Sequence, residues 1–236
     1  MDKLLWGPPP GPRRGPRPAF TLDDIARAGI AIADADGLAA VTMQRVADQL
    51  GVTKMALYRY VPGKAELVAL MLDIGLGGPP DRGDRDWRAA LDAWSHALFA
   101  AFAGHPWSLE AAVGARVMGP NELAWLEEAV AAMTGTGLHG AEMLDVAVTL
   151  VGHVRSLAQQ TAGMPADLEG ALDDTIAALV EGREDRFPAL SAAVRAARAS
   201  NQQNQALDFG LARILDGVAT LIASRAAGTT SAHPVP

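Results

Sequence analysis

TMQRVADQLGVTKMALYRYVPGK, residues 42–64, is the stretch on which the reading of the whole chain turns. Thr42 is placed to cap a short helix through Leu50, Gly51 supplies a tight turn, and Thr53 caps a second short helix running to about Tyr60. Val46, Ala47 and Leu50 on the first helix face Val52 and Leu57, an apolar set that locks the pair at a steep angle in helix-turn-helix geometry. The second helix then turns a free face outward, bearing Thr53, Lys54, Met55, Ala56 and Tyr58. These side chains combine donors for backbone phosphates, an apolar surface suited to a thymine methyl, and an aromatic hydroxyl. The helix N-terminus adds free N–H groups for phosphate.

Upstream, Thr21 followed by Asp24 is a variant capping box, and Leu22, Ile25, Ala28 and Ile32 recur near helical spacing until Asp36-Gly37 ends the pattern. Downstream, Pro62-Gly63 precedes a longer helix with Leu67, Leu70, Met71 and Ile74 on one side. Residues 20–76 thus form a compact three-helix unit closed by a fourth helix. Residues 1–19 are a basic Pro/Gly-rich arm that buries no core and is expected to be disordered, with Arg13, Arg14 and Arg17 as its cations. Gly75 to Gly83, holding Pro79 and Pro80, is the expected linker. Beyond it, Ala-rich helical patterning runs over about 85–103, 106–115, 120–134, 139–162, 168–182, 188–199 and 204–226, without strand alternation. In the last of these Leu207, Leu211, Ile214, Val218 and Leu221 step by four, three, four and three, the spacing of a bundle seam, with Gly210 and Gly217 allowing close approach. Residues 227–236 read as a frayed tail. The fold class is therefore all-α: an N-terminal helix-turn-helix domain and a C-terminal helical bundle over 84–226.

Charge divides in the same place. Residues 1–70 carry a balance of +2 and residues 71–236 a balance of −9, within a net −7, so the front can approach a polyanion that the body repels. The absence of cysteine excludes disulfides, thiolate metal sites and a Cys nucleophile. No G-x-S-x-G, phosphate loop, H-E-x-x-H or E-x-x-H occurs, so no enzyme, cofactor or metal is expected. No apolar run approaches the ~20 residues of a membrane span, and a cytoplasmic location is expected.

Thr42, Arg45-Val46-Ala47, Leu50-Gly51-Val52, Ala56-Leu57-Tyr58, Tyr60-Val61, Lys64 and Leu67 closely resemble the DNA-binding domain of the tetracycline-repressor family, over about residues 20–72. The resemblance implies that Thr42, Gln44, Arg45, Thr53, Lys54, Met55, Tyr58, Tyr60 and Lys64 contact an operator in double-stranded DNA. It also implies a small-molecule pocket in the second region, where four of the five tryptophans cluster between residues 87 and 125. The expected pocket residues are Trp94, Phe102, Trp107, Met118, Trp125 and His153.

Each assignment has a plainer reading. Tyr58 and Tyr60 also suit amphipathic packing, and Lys54, Arg45 and Lys64 suit a solvated surface; jointly, at this spacing, they favour DNA. The arm arginines either enter a minor groove or solubilise the segment. The tryptophans serve either a cavity or an ordinary core, and His153 is either a packed core histidine or a ligand-facing donor. One recognition helix buries too little to discriminate an operator, so a homodimer is expected, built on the helices at about 139–162 and 204–226, with two heads ~34 Å apart on a palindrome. The functional expectation is a regulator, a repressor, released by a small, largely apolar or aromatic effector. Control by a protein partner without small ligand, or a helical enzyme lacking a recognisable motif, are the alternatives from other classes.

Overall fold

The computed structural model describes residues 2–7, 20–114, 116–162, 175–200 and 206–230, and every regular element among them is helical. In chain order these are α1 (Asp2–Leu5), α2 (Leu22–Asp36), a 3-10 turn (Leu38–Ala40), α3 (Met43–Gln49), α4 (Lys54–Tyr58), α5 (Lys64–Leu76), α6 (Trp87–Gly104), α7 (Trp107–Ala111), α8 (Pro120–Ala132), α9 (Gly140–Thr161), α10 (175–180), α11 (Pro188–Ser200) and α12 (Ala206–Thr230). No described helix is long and apolar enough to cross a membrane.

Local chemistry sets the first helices. The Thr21 hydroxyl accepts from Asp24 N at 3.1 Å while Asp24 Oδ2 accepts from Thr21 N at 2.8 Å, closing a reciprocal cap on α2. Gly37, at φ 81°, ends that helix in a backbone conformation that costs any side-chain-bearing residue. Ile25, Val46, Leu57, Val61, Leu67 and Met71 are fully buried and form the core of this head.

Helix α5 belongs to both halves. It packs on α2 on one side and on α6, α7 and α8 on the other. Its Asp73 is buried and caps α8 from outside: Oδ1 accepts from Asn121 N at 2.9 Å and Glu122 N at 3.1 Å. Position 119, the N-cap of α8, is a glycine and has no capping oxygen of its own, so the carboxylate of another helix satisfies these orphan amides. Burial pushes the Asp73 carboxyl above its ordinary range, against the two backbone donors that lower it. The body is a bundle in which α9 packs against α6, α8 and α12.

Several boundaries differ from the sequence expectation. Helix α7 is one short turn-and-a-half, Trp107–Ala111, instead of reaching 115, because Gly114 adopts φ 89°. Helix α12 runs past the expected frayed end to Thr230. Residues 2–7 are not a free arm: Leu5 is buried, α1 packs on α5, and Trp6 Nε1 donates to the Met118 carbonyl at 2.9 Å. Leu5 is buried and Leu4 packs beside it, while Trp6 stays largely exposed and is held by its indole hydrogen bond. Arg13, Arg14 and Arg17 lie outside the described residues.

Candidate nucleic-acid interface and interior cavity

The recognition helix is positioned from beneath. Val52 N donates to the Ala47 carbonyl at 2.9 Å across the turn, Gly51 takes φ 67°, and Leu57 is fully buried under the pair. With Leu57 inside, the helical period turns Thr53, Lys54, Met55 and Tyr58 outward. Met55 is 74% exposed and Tyr58 39%, a degree of apolar exposure on a five-residue helix that a free surface does not favour. The Lys54 ammonium stands 5.7 Å from the Tyr58 ring centroid, so the pair presents one cationic, aromatic edge.

The flanking positions divide into free and engaged groups. Thr42 and Thr53 are exposed and spend one hydroxyl lone pair each as N-caps, accepting from Arg45 N at 3.1 Å and Ala56 N at 3.2 Å. Gln44 Nε2 donates to Asp48 at 2.7 Å, and Arg45 is ion-paired with Asp36 at the end of α2. Tyr60 is half-buried with its ring 4.6 Å from Phe20, pinning the entry of α2 to the exit of α4. Lys64 opens α5 and its ammonium reaches the Leu38 carbonyl at 3.5 Å. Arg59, outside the expected set, follows α4, is exposed, and has no carboxylate partner among the described residues. Its signal in the sequence was a lone cation between two tyrosines.

Within the body lies a cavity of about 320 Å³. Of the six expected pocket residues, Trp94, Phe102, Met118 and Trp125 line it. The two indoles meet edge to face at 5.7 Å, and both are hydrogen-bonded: Trp94 Nε1 to the Trp125 carbonyl and Trp125 Nε1 to the Gly77 carbonyl, each at 2.9 Å. Gly77 is the C-cap of α5, so a cavity wall is tied directly to the helix that carries the head.

Trp107 and His153 stand elsewhere. Trp107 Nε1 donates to Asp34 of α2 at 2.7 Å, and the same carboxylate oxygen takes His105 Nδ1 at 2.8 Å, a latch between head and body. The His153 ring packs between α9 and α12, its Nε2 3.3 Å from the Leu207 carbonyl, in space left by Gly210. Helical spacing puts His153 on one stripe with Val146 and Leu150, but periodicity does not say which neighbour lies across from it. Sequence reasoning missed three charged lining residues, Arg116, Glu122 and Arg155. Arg155 follows Val151 by one turn on α9, the only trace it left in the pattern.

Comparison with known proteins bears on both halves. Residues 25–71 match the family model described as bacterial regulatory proteins, tetR family, and residues 79–222 match that for the tetracyclin repressor-like C-terminal domain. The HTH-type transcriptional repressor DrrR1 of Streptomyces coeruleorubidus is 35% identical over 237 residues, spanning 94% of this chain and 86% of that protein. An HTH-type transcriptional regulator of Saccharopolyspora erythraea is 28% identical over 178 residues, 74% of this chain and 75% of that one. ActR of Streptomyces coelicolor, solved in complex with actinorhodin, shares the fold with a TM-score of 0.72 at 22% identity, over 86% of this chain and 98% of ActR. With an outward-facing α4 in front and a matched C-terminal bundle behind, the chain belongs to the tetracycline-repressor family of DNA-binding transcriptional regulators.

Proposed function

We propose that this protein is a homodimeric repressor that leaves a palindromic operator when a small, largely apolar or aromatic effector enters the cavity. The observation that carries the reading is the path of α5: Lys64 opens it at the DNA-facing end, and Leu76 and Gly77 close it at the cavity, where Leu76 is a wall residue and Gly77 is held by Trp125. A ligand that displaces Trp125 releases the end of α5. A second tie, from Asp73 to the N-terminus of α8, makes the same helix sensitive to the segment bearing Met118 and Glu122. Release requires only that the effector bind the detached arrangement better than the operator-bound one.

Thr42, Gln44, Arg45, Thr53, Lys54, Met55, Tyr58, Tyr60 and Lys64 are the proposed DNA contacts. Met55 and Tyr58 read base edges and Lys54 and Lys64 hold phosphates, with Arg59 added to the phosphate contacts. Tyr60 and Arg45 contribute while keeping their internal partners. The dimer is proposed through α9 and α12. Leu144 and Val148 are exposed on α9 and Phe209 on α12, and Gly217 has open space where a side chain would stand, so a partner helix could approach closely there. ActR, solved with actinorhodin bound, is a relative in fold that holds a small molecule, which supports a ligand-responsive reading of this chain.

The test is selection of duplexes from a random pool, followed by anisotropy titration of the selected operator and a screen of small aromatic compounds with purified protein alone. Expected are a palindromic site, an effector that releases it, and loss of operator binding in Tyr58→Ala with the dimer intact. Lys64→Ala should weaken all duplexes and lower the salt slope by about one. Release that requires a second protein, or indifference to every duplex at low salt, refutes the reading.

A further inference from the structure

The charges on the cavity wall are not explained by its aromatic lining. Arg116 Nη1 donates to Glu122 Oε1 at 2.6 Å and its other terminal nitrogen pairs with the second carboxylate oxygen, so those two charges cancel. The Arg116 Nε is nevertheless buried with no hydrogen-bond partner among the described residues. Arg155, half-buried on α9, donates Nη2 to the Leu109 carbonyl at 3.2 Å and has no carboxylate partner among the described residues. A guanidinium offers five donors, and most of Arg155's are unspent inside an apolar recess. The wall therefore holds an arginine, Arg155, without a carboxylate partner among the described residues and, on Arg116, a buried donor that is costly to leave unused unless an acceptor completes it.

We propose that the effector is an aromatic oxyanion. Its flat body sits against Trp94, Phe102 and Trp125, and an ionised carboxylate or acidic enol takes the spare donors of Arg155 and the Nε of Arg116. The cavity volume, about 320 Å³, is near the lower end of the ~300–1,000 Å³ of ligand pockets, which fits a ligand of a few rings and excludes a bulky or long-chain one. The proposal rests on the cavity being the effector site. It also adds a route to α5: an anion that draws Arg116 away from Glu122 disturbs the α8 N-terminus, which Asp73 of α5 caps.

Calorimetric titration of the full chain with two matched pairs separates these claims: naphthoate against naphthamide, and hydroxynaphthoquinone, an enol ionised at neutral pH, against methoxynaphthoquinone. At least one anion should bind about tenfold or more tightly than its neutral partner, the worth of a charge-assisted hydrogen bond. Preference within the first pair alone assigns a carboxylate; within the second alone, an acidic enol. Arg155→Gln should bring the ratio to about one, by weakening the anion far more than its neutral partner, and Arg155→Lys, which keeps the charge, should retain most of it. If the neutral members bind as tightly as the anions and Trp125→Ala weakens all of them, the oxyanion proposal falls and the cavity reading stands. A preference unchanged in Arg155→Gln overturns the assignment to Arg155. If none of the four compounds binds, the oxyanion proposal and the cavity reading fall together.

Discussion

Gly119→Ala should cost this protein about 3–5 kcal/mol of stability, most of it through one carboxylate. Gly119 adopts φ −84°, a conformation open to any residue, so the backbone contributes no strain. The cost is spatial: a Cβ there would lie 2.2 Å from Cγ and Oδ1 of Asp73 and 2.7 Å from its Cβ. Asp73 is 3% exposed and has nowhere to go without releasing Asn121 N and Glu122 N. Losing a cap costs about 1 kcal/mol, and hydrogen bonds to a charged acceptor are worth about 1.5–3 kcal/mol each. These overlap, because one carboxylate serves both amides, and the buried charge left behind sets the upper figure. Asp73→Ala removes the cap and the nearer part of the obstacle, its carboxyl group, and should cost about 2–3 kcal/mol. In that background Gly119→Ala should cost less than in the parent, about 1–2 kcal/mol, since the carboxyl group is gone but the Cβ at position 73 still lies 2.7 Å from the new methyl group. Urea unfolding followed by tryptophan fluorescence measures all three variants, with midpoints shifted at constant slope. A loss below about 1 kcal/mol for Gly119→Ala, or strict additivity in the double variant, would refute the external cap.

Further outcomes follow from the same packing. Gly210→Ala gains about 1 kcal/mol of helix propensity but puts a methyl group 2.1 Å from the His153 ring, so it should destabilise the parent and stabilise a His153→Ala background, as read by thermal unfolding. Asp34→Ala leaves the Trp107 indole N–H without its acceptor and unlatches head from body; a stability loss of about 1–3 kcal/mol and weaker operator binding are expected, and a neutral result removes the latch. His96 is held above its ordinary value: burial opposes its charge, but the Asp92 carbonyl and the Asp208 carboxylate, 2.8 Å from Nε2, outweigh it. Its stabilisation is thus fully present below the unfolded value, near 6.5, and fades as pH rises through the higher folded value. His96→Gln should lose more stability at pH 6 than at pH 8; an equal loss at both counts against the pairing.

The head was readable because its determinants are near neighbours in the chain. Thr21 with Asp24, Thr42 with the Arg45 amide, Gly51 at the turn and Thr53 with the Ala56 amide all act within three residues, and the spacing of Val46, Ala47 and Leu57 assigns the inner face. The outward set on α4 follows by subtraction. In the body the same arithmetic located helices but not what they face. Trp107 and His153 have the composition of pocket residues and serve as a latch and a packing piece, while Arg116, Glu122 and Arg155, which belong to no sequence motif, line the cavity.

What the amino-acid sequence determined alone is the helical class, the two-part division and the recognition helix, since helix period, caps and turns are written over three or four residues. What only the tertiary structure decided is which side chains meet across long separations: Asp73 with the start of α8, 48 residues on, Trp125 with Gly77, and Arg155 with Leu109. Those contacts depend on how the bundle closes, and a single helix's pattern carries the direction a side chain leaves its axis but not the partner that waits there.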